Sequence, residues 1–404
     1  MLGPQLPLEL KAAIINEIVH DKNSLLLCRL ASRALNVLAT PHAFQILNIS
    51  RTRGSCSAFK ALSHETEVFR HVKEINFRAL QTKDMVFESD TVEETAFFFS
   101  SVSKFSNLRT LRLYFPPVFE EEHKDEFDDI IPPISPNRTL QIAIFNALAT
   151  LNPKTNFTLH TLEIHSLLAL PNEGIRSPRF SPLLHSLHTL LISVVTNNRD
   201  EFEMQYDDDY IHFWKTDTYS LLTRTAETLT SLTLSSDINT SAFAAPNSEW
   251  HALTLPKLQS LTLRKLVFTS AAYFAQQWPE AASDGLEEFI VRHWKTLVHL
   301  ELSSCCVEIG EQDAHPRVWA DIWNHFRKHL IMLRCFEFHP LPKVRNRQLG
   351  GEGDEEDDGC FPGYVWFFIE TGYIHSFDGP PSDEDEDVKA FEALQVAIKS
   401  RNKT

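Results

Sequence analysis

The sequence predicts an α/β protein, a short helical unit at the N-terminus followed by an irregular α/β solenoid. Three observations carry this. Over residues 6–47 the apolar residues recur with the period of amphipathic helices. From residue 72 onward one strand-like hexamer, apolar-x-x-apolar-x-apolar, returns eight times. Amphipathic helical stretches precede several of these hexamers, so strand and helix alternate.

In the N-terminal stretch Leu10, Ile14 and Ile18 recur every fourth residue, with Ile15 and Val19 beside them. This spacing predicts a first helix. Leu26-Leu27, Leu30-Ala31, Ala34-Leu35 and Leu38 repeat the pattern on a second. Asp21 and Asn23-Ser24 separate the two; Ser24 suits the N-cap, and Pro41 marks the second helix's end. Two or three short helices in about forty residues make too small a core to be very stable alone. An apolar face shared with a partner or with the next domain is therefore expected. The order Leu6-Pro7-x-Glu9, the pair Ile14-Ile15, an apolar run into Arg29-Leu30, then Ser32-Arg33 and Leu35 before Asn36 resembles an F-box. Leu35 stands where many members carry an aromatic, and Asn23-Ser24 where many carry an acidic residue.

Phe44 to Ile49 alternates and predicts a first strand. The hexamers follow with starts at 72, 108, 159, 187, 229, 258, 297 and 333. Helices are predicted over 92–104, 139–151, 286–296 and 317–330 from their apolar spacing. This alternation resembles a leucine-rich-repeat solenoid. Its starts lie 28 to 51 residues apart, against roughly 20–29 in regular repeats, and only Cys305 occupies the place usual for Asn or Cys after the strand. An irregular solenoid with long helices and insertions is expected over 51–378. The competing fold is a doubly wound α/β enzyme, which wants glycine at its phosphate turns; this chain has 12 glycines in 404 residues.

Acidic runs near 120–130, 200–210 and 350–359 read as solvated loops. The last lacks calcium-loop spacing and is expected to be dispensable for folding. Tyr364 to Ile369 predicts a further strand. Residues 379–404 read as an acidic linker, Asp383 to Asp387, and an amphipathic helix through Val388, Phe391, Leu394 and Ile398 that would cap the repeats.

Composition narrows function. The formal net charge of −16 argues against nucleic acid or an anionic membrane as partner. Six scattered cysteines without a Cys-x-x-Cys pair suggest reduced thiols and an intracellular setting, cytoplasmic or nuclear. No signal peptide is read at Met1-Leu2-Gly3-Pro4, and no apolar run reaches the roughly 20 residues of a membrane span. The sequence holds no Gly-x-Ser-x-Gly, no phosphate loop and no Gly-x-Gly-x-x-Gly. His325 and His329 share a helix face but lack a zinc hydrolase's Glu, and His185, His188 and Cys305-Cys306 read as packing or surface residues. No catalytic residue, metal ligand or cofactor is predicted.

Together the two resemblances are to F-box proteins with a leucine-rich-repeat-like C-terminal domain of the fungal type, specific over residues 6–47 and architectural from about 50 to 378, which gives domains 1–50 and 51–378. They imply a non-catalytic substrate receptor of an SCF (Skp–cullin–F-box) ubiquitin ligase. Its partners would be a Skp-type adaptor, through it a cullin, and a target protein not identified by the sequence. Carried onto this chain, the candidates for core or adaptor contact are Leu6, Pro7, Leu8, Ile14, Ile15, Ile18, Leu26, Leu30 and Leu38; the sequence does not separate those two roles. Target binding is expected on the outward residues of the hexamers, third and fifth in each, from Glu74 and Asn76 to Cys335 and Glu337. Arg112 in that row, and Arg78, Tyr114, His165 and Arg264 flanking it, supply its larger groups. The alternatives are a scaffold that binds without a cullin and an α/β hydrolase-like enzyme.

Overall fold

The computed structural model describes residues 6–52, 54–55, 58, 66–79, 89–118, 135–151, 158–196, 208–240, 249–269, 285–309, 317–340, 363–368, 372–375 and 384–403. The protein is mixed α/β with mostly parallel strands. By compactness the chain divides into two units. One comprises Met1–Pro116, Ile134–His165 and Glu173–Leu187; the other comprises Pro117–Pro133, Ser166–Asn172 and His188–Thr404.

The first unit begins with three helices, α1 (Leu8–Glu17), α2 (Lys22–Ala31) and α3 (Arg33–Ala43). Asp21 caps α2, accepting from the Asn23 and Ser24 amides. Ser24 is therefore not the cap; its hydroxyl instead donates to the Asp21 carboxylate at 2.5 Å. The single second helix expected from periodicity is broken at Ser32, whose extended backbone and side-chain acceptor for the Leu35 amide start α3. Pro41 lies inside α3 instead of ending it. Arg29 ties the two helices, donating to Asn36 Oδ1 and Thr40 Oγ1 at 3.0 Å each and lying 4.5 Å over the Phe44 ring. A small core of Ile15, Leu25, Ala39 and Ala43 holds the three helices, with Ile18, Leu26, Cys28, Leu35, Leu38 and Phe44 packed against it.

Strands β1 (Ile46–Ser50), β2 (Glu74–Arg78), β3 (Thr110–Tyr114) and β4 (Thr161–Leu168, its last three residues in the second unit) pair in that order, all parallel. The join between neighbours repeats itself. The carbonyl of Gln45 takes the amides of Lys73 and Glu74, that of Lys73 takes Arg109 and Thr110, and that of Arg109 takes His160 and Thr161. The apolar positions of each hexamer, such as Leu108, Leu111 and Leu113, are buried, while the residues between them are half-exposed. Helices α4 (Ser89–Ser100) and α5 (Pro136–Ala149) answer the 92–104 and 139–151 predictions. Ser135 caps α5 and Pro136 opens it.

In the second unit β5 (Thr189–Val195), β6 (Ser231–Thr240) and β7 (Ser260–Phe268) are parallel neighbours. The same carbonyl relay recurs through His188, Thr230, Gln259 and Val298. Then β7 forks. Ser260–Arg264 pairs with β8 (His299–Ser303), which pairs with β10 (Cys335–His339). Val267 and Phe268 pair instead with β9 (Cys306–Ile309), which pairs with β11 (Gly363–Phe368), and β12 (Gly372–His375) closes this branch antiparallel. The two branches part where Lys265 (φ 54°) and Ser304 (φ 52°) take left-handed backbone. Ser166 in β4 does the same at the equivalent place, two residues past the hexamer.

Helices α6 (Leu286–Arg292) and α7 (Trp319–His329) lie within the predicted 286–296 and 317–330 stretches. Helix α8 (Glu384–Arg401) differs from expectation at its start: Glu384 to Asp387 form its first turn and not a linker. Asp387 is buried there, accepting the Ala320 amide at 2.6 Å and the Tyr364 hydroxyl at 2.5 Å, while Tyr364 accepts the Trp319 amide. Two elements thus cap the N-terminus of α7. Behind them Trp319 and Trp323 stack at 4.5 Å, with Phe336, Phe338 and Phe391 edge-on or tilted around Trp323. Of the acidic runs, 120–130 and 350–359 lie outside the described residues. In the third, Asp208 and Asp209 open a short helix, Asp208–His212, which continues as a π-helical turn into Tyr219–Thr225. Among the described residues no helix is long and apolar enough to cross a membrane.

Candidate functional site

The N-terminal helices sort the nine adaptor candidates that the sequence left mixed. Ile15 is 1% exposed and belongs to the small core, the first of the two roles left open for it. Ile18, Leu26 and Leu38 pack half-buried against it. Leu6, Pro7, Leu8, Ile14 and Leu30 face outward, with Leu30 85% exposed. Three more outward residues escaped the candidate set: Leu10, Leu27 (66%) and Val37 (68%). The helical period marked Leu10 and Leu27 but not their outward side, and it missed Val37, because helices this short bury one narrow stripe and leave their other apolar positions to solvent.

The outward positions of the strands form ladders, as pleat alternation requires. In the first unit Arg112 lies between Glu74 and Glu163. Its Nη1 is 2.5 Å from Glu74 Oε1 and its Nε 2.9 Å from Glu163 Oε1. Asn76 donates to Glu74 at 2.9 Å and to Asn48 at 3.0 Å, extending the network to β1. Beyond it Tyr114 and His165 stack at 4.4 Å and 9°, and the Arg78 guanidinium lies 5.3 Å over Tyr114. His165 also reaches Glu163 at 3.3 Å. Glu163 is held below the usual carboxylate range by His165 first, against its partial burial, and then by Arg112. Burial opposes the Arg112 charge, but Glu163 and Glu74 outweigh it and raise its pKa. Four of the five target candidates therefore sit on adjacent rungs. Within them Arg112 is engaged by carboxylates and shapes the face, whereas Arg78, Tyr114 and His165 form a π-stacked platform.

In the second unit the ladder runs from hydroxyls to charge. Thr262 and Arg264 both donate to Glu301 at 3.1 Å, and Ser260 pairs with His299 Nδ1 at 3.0 Å. Arg264, the fifth target candidate, is 54% exposed at its side chain. On the edge strand β10, Glu337 faces His299 (Nε2–Oε1 3.7 Å), His339 (Nε2–Oε2 3.5 Å) and the Cys335 thiol, which donates to it at 3.6 Å.

The remaining sequence candidates are structural. Cys305 is buried in the expected Asn/Cys place, its thiol directed at the carbonyls of Leu263 and Ser303, and burial pushes it up to about 12. His325 is held by Glu287 at 2.5 Å, which also binds Arg317. Among the described residues no third ligand joins His325 and His329. In comparisons with protein-family models and with curated proteins, nothing matches this chain.

Proposed function

We propose that this protein is the substrate-recognition subunit of an SCF-type ubiquitin ligase, with α1–α3 as an F-box and the strand ladders as a leucine-rich-repeat-like binding face. The observation that carries the reading is the division of α1–α3 into four buried residues and a larger outward apolar set, Leu6, Leu8, Leu10, Ile14, Leu27, Leu30 and Val37. A monomeric surface rarely gathers so many exposed aliphatics unless something covers them. Leu6-Pro7-x-Glu9 and Ser32-Arg33 make a Skp-type adaptor the fitting partner. The recurring carbonyl relay and the buried Cys305 support repeat stacking within each unit. In this reading the chain performs no covalent chemistry; it holds a target near a conjugating enzyme, which acts by proximity.

Affinity capture of the full chain from a host expressing adaptor and cullin tests this. Adaptor and cullin should both co-purify. Leu8→Asp with Leu30→Asp should abolish their recovery while the melting temperature stays within about a degree, since exposed substitutions away from special features change stability by about 0.5 kcal/mol or less. Tyr114→Ala, and separately Arg264→Ala, should each lose target proteins and keep the adaptor. Undiminished adaptor recovery by the Asp variant would overturn the assignment.

A further inference from the structure

We propose that the edge of the second unit's sheet carries a binding site for a zinc-type divalent cation, with His299, Cys335 and Glu337 as ligands and His339 beside Glu337. This inference does not rest on the receptor reading.

Parallel pairing makes the site. His299 and Cys335 are partners on β8 and β10, and alternation puts Cys335, Glu337 and His339 on the same face. One ligand atom from each of His299, Cys335 and Glu337 lies within 4.8 Å of the others. Zinc holds N, S and O ligands at about 2.0–2.3 Å in a tetrahedron, whose edges are then about 3.3–3.7 Å. The separations here are 3.6 Å from Cys335 Sγ to Glu337 Oε1, 3.7 Å from His299 Nε2 to the same oxygen, and 3.5 Å from His339 Nε2 to Glu337 Oε2. Two edges of the three-ligand group, both to Glu337 Oε1, thus already have the length of a coordination edge, and the third lies within 4.8 Å.

Its surroundings fit the same role. Ser260 engages His299 at Nδ1, which leaves Nε2 as the ring atom on the Glu337 side; a second-shell partner of this kind fixes the donor nitrogen of metal-bound histidines. The neighbouring carboxylate, Glu301, is committed to Thr262 and Arg264. Glu337 has no arginine or lysine partner among the described residues and faces only imidazoles and a thiol. A mixed N, S and O set selects a borderline ion over calcium or magnesium, which want oxygen alone. On binding, the thiol proton now shared with Glu337 leaves to solvent and the cation takes its place between sulfur and carboxylate.

The test is a Co2+ titration of the chelator-stripped full chain, read by absorption. One equivalent should produce intense tetrahedral d–d bands and a thiolate-to-cobalt charge-transfer band, both bleached by Zn2+. Cys335→Ser should remove the charge-transfer band. His299→Ala and Glu337→Gln should each weaken binding, and Ser260→Ala should weaken it roughly 10-fold or more as a second-shell change. Glu337 is half-exposed, so Glu337→Gln tests the site without threatening the fold. The buried Cys305 and Cys306 serve as internal controls. No charge-transfer band in excess Co2+, a band undiminished in Cys335→Ser, or an affinity unchanged in both His299→Ala and Glu337→Gln would overturn the site.

Discussion

His293 shows how much one residue's surroundings decide. It is 4% exposed; its Nε2 accepts the Leu255 amide at 2.9 Å, so Nδ1 carries the hydrogen donated to the Phe289 carbonyl at 2.7 Å. Burial lowers its pKa from 6.5 to about 4, with Arg292 adding to the effect and the Phe289 carbonyl opposing it. The unfolded chain therefore takes up this proton first. The stabilisation is complete above pH 6.5 and is lost as pH falls toward about 4, an effect of at most about 3 kcal/mol. Denaturant titrations across that interval should show a steeper loss for the native chain than for His293→Gln. Parallel slopes would mean that His293 is protonated in the fold.

At the scale of elements, close approach and capping decide. Gly174 lies where a Cβ would stand 2.6 Å from the Phe145 carbonyl carbon and 2.7 Å from the Asn146 nitrogen. Both are backbone atoms of α5, which cannot yield as a side chain would. Gly174→Ala is expected to cost about 1–3 kcal/mol, read as a lower denaturation midpoint with unchanged slope. The α8–α7 junction depends on Asp387. Replacing it by Ala leaves the buried Ala320 amide and the Tyr364 hydroxyl short of an acceptor, a loss of about 2 kcal/mol or more. Asp387→Asn keeps one acceptor oxygen, enough for the Ala320 amide but not for the Tyr364 hydroxyl as well, and should recover part of this. Hydrogen exchange at the Ala320 amide distinguishes them: fast in the Ala variant, slow in the native chain. Burial raises the Asp387 pKa from 3.8, against the hydrogen bonds from Tyr364 and Ala320. Its ionisation thus weakens the fold as pH rises past 3.8, the opposite sign to His293.

For the whole molecule, the net charge of −16 favours solubility, while the aliphatic face of α1–α3 favours association. The isolated chain should therefore self-associate in a concentration-dependent way that added salt strengthens, since salt screens the charge but not the apolar face. Sedimentation should show Leu27→Asp with Leu30→Asp to be monomeric at concentrations where the native chain is not. A native chain that stays monomeric at high salt would mean that this face is less adhesive than its composition implies.

All eight hexamers became strands because alternation needs only local residues: the buried apolar positions and the outward ones between them were legible. The apolar period over residues 6–47 likewise marked helix there, but not the break at Ser32. What sequence could not decide was anything set by a distant neighbour. Ile15 and Ile14 are adjacent isoleucines, yet one is core and the other surface, because α3 closes over only one of them. Asp383 to Asp387 has the composition of a solvated linker, but Asp387 is buried because the amide of Ala320, 67 residues earlier, needs an acceptor. Cys335, Glu337 and His339 alternate along one strand, but no sequence spacing joins His299 to them. The cluster exists because β8 and β10, 36 residues apart in register, lie one strand spacing apart, and only tertiary pairing brings such ligands together.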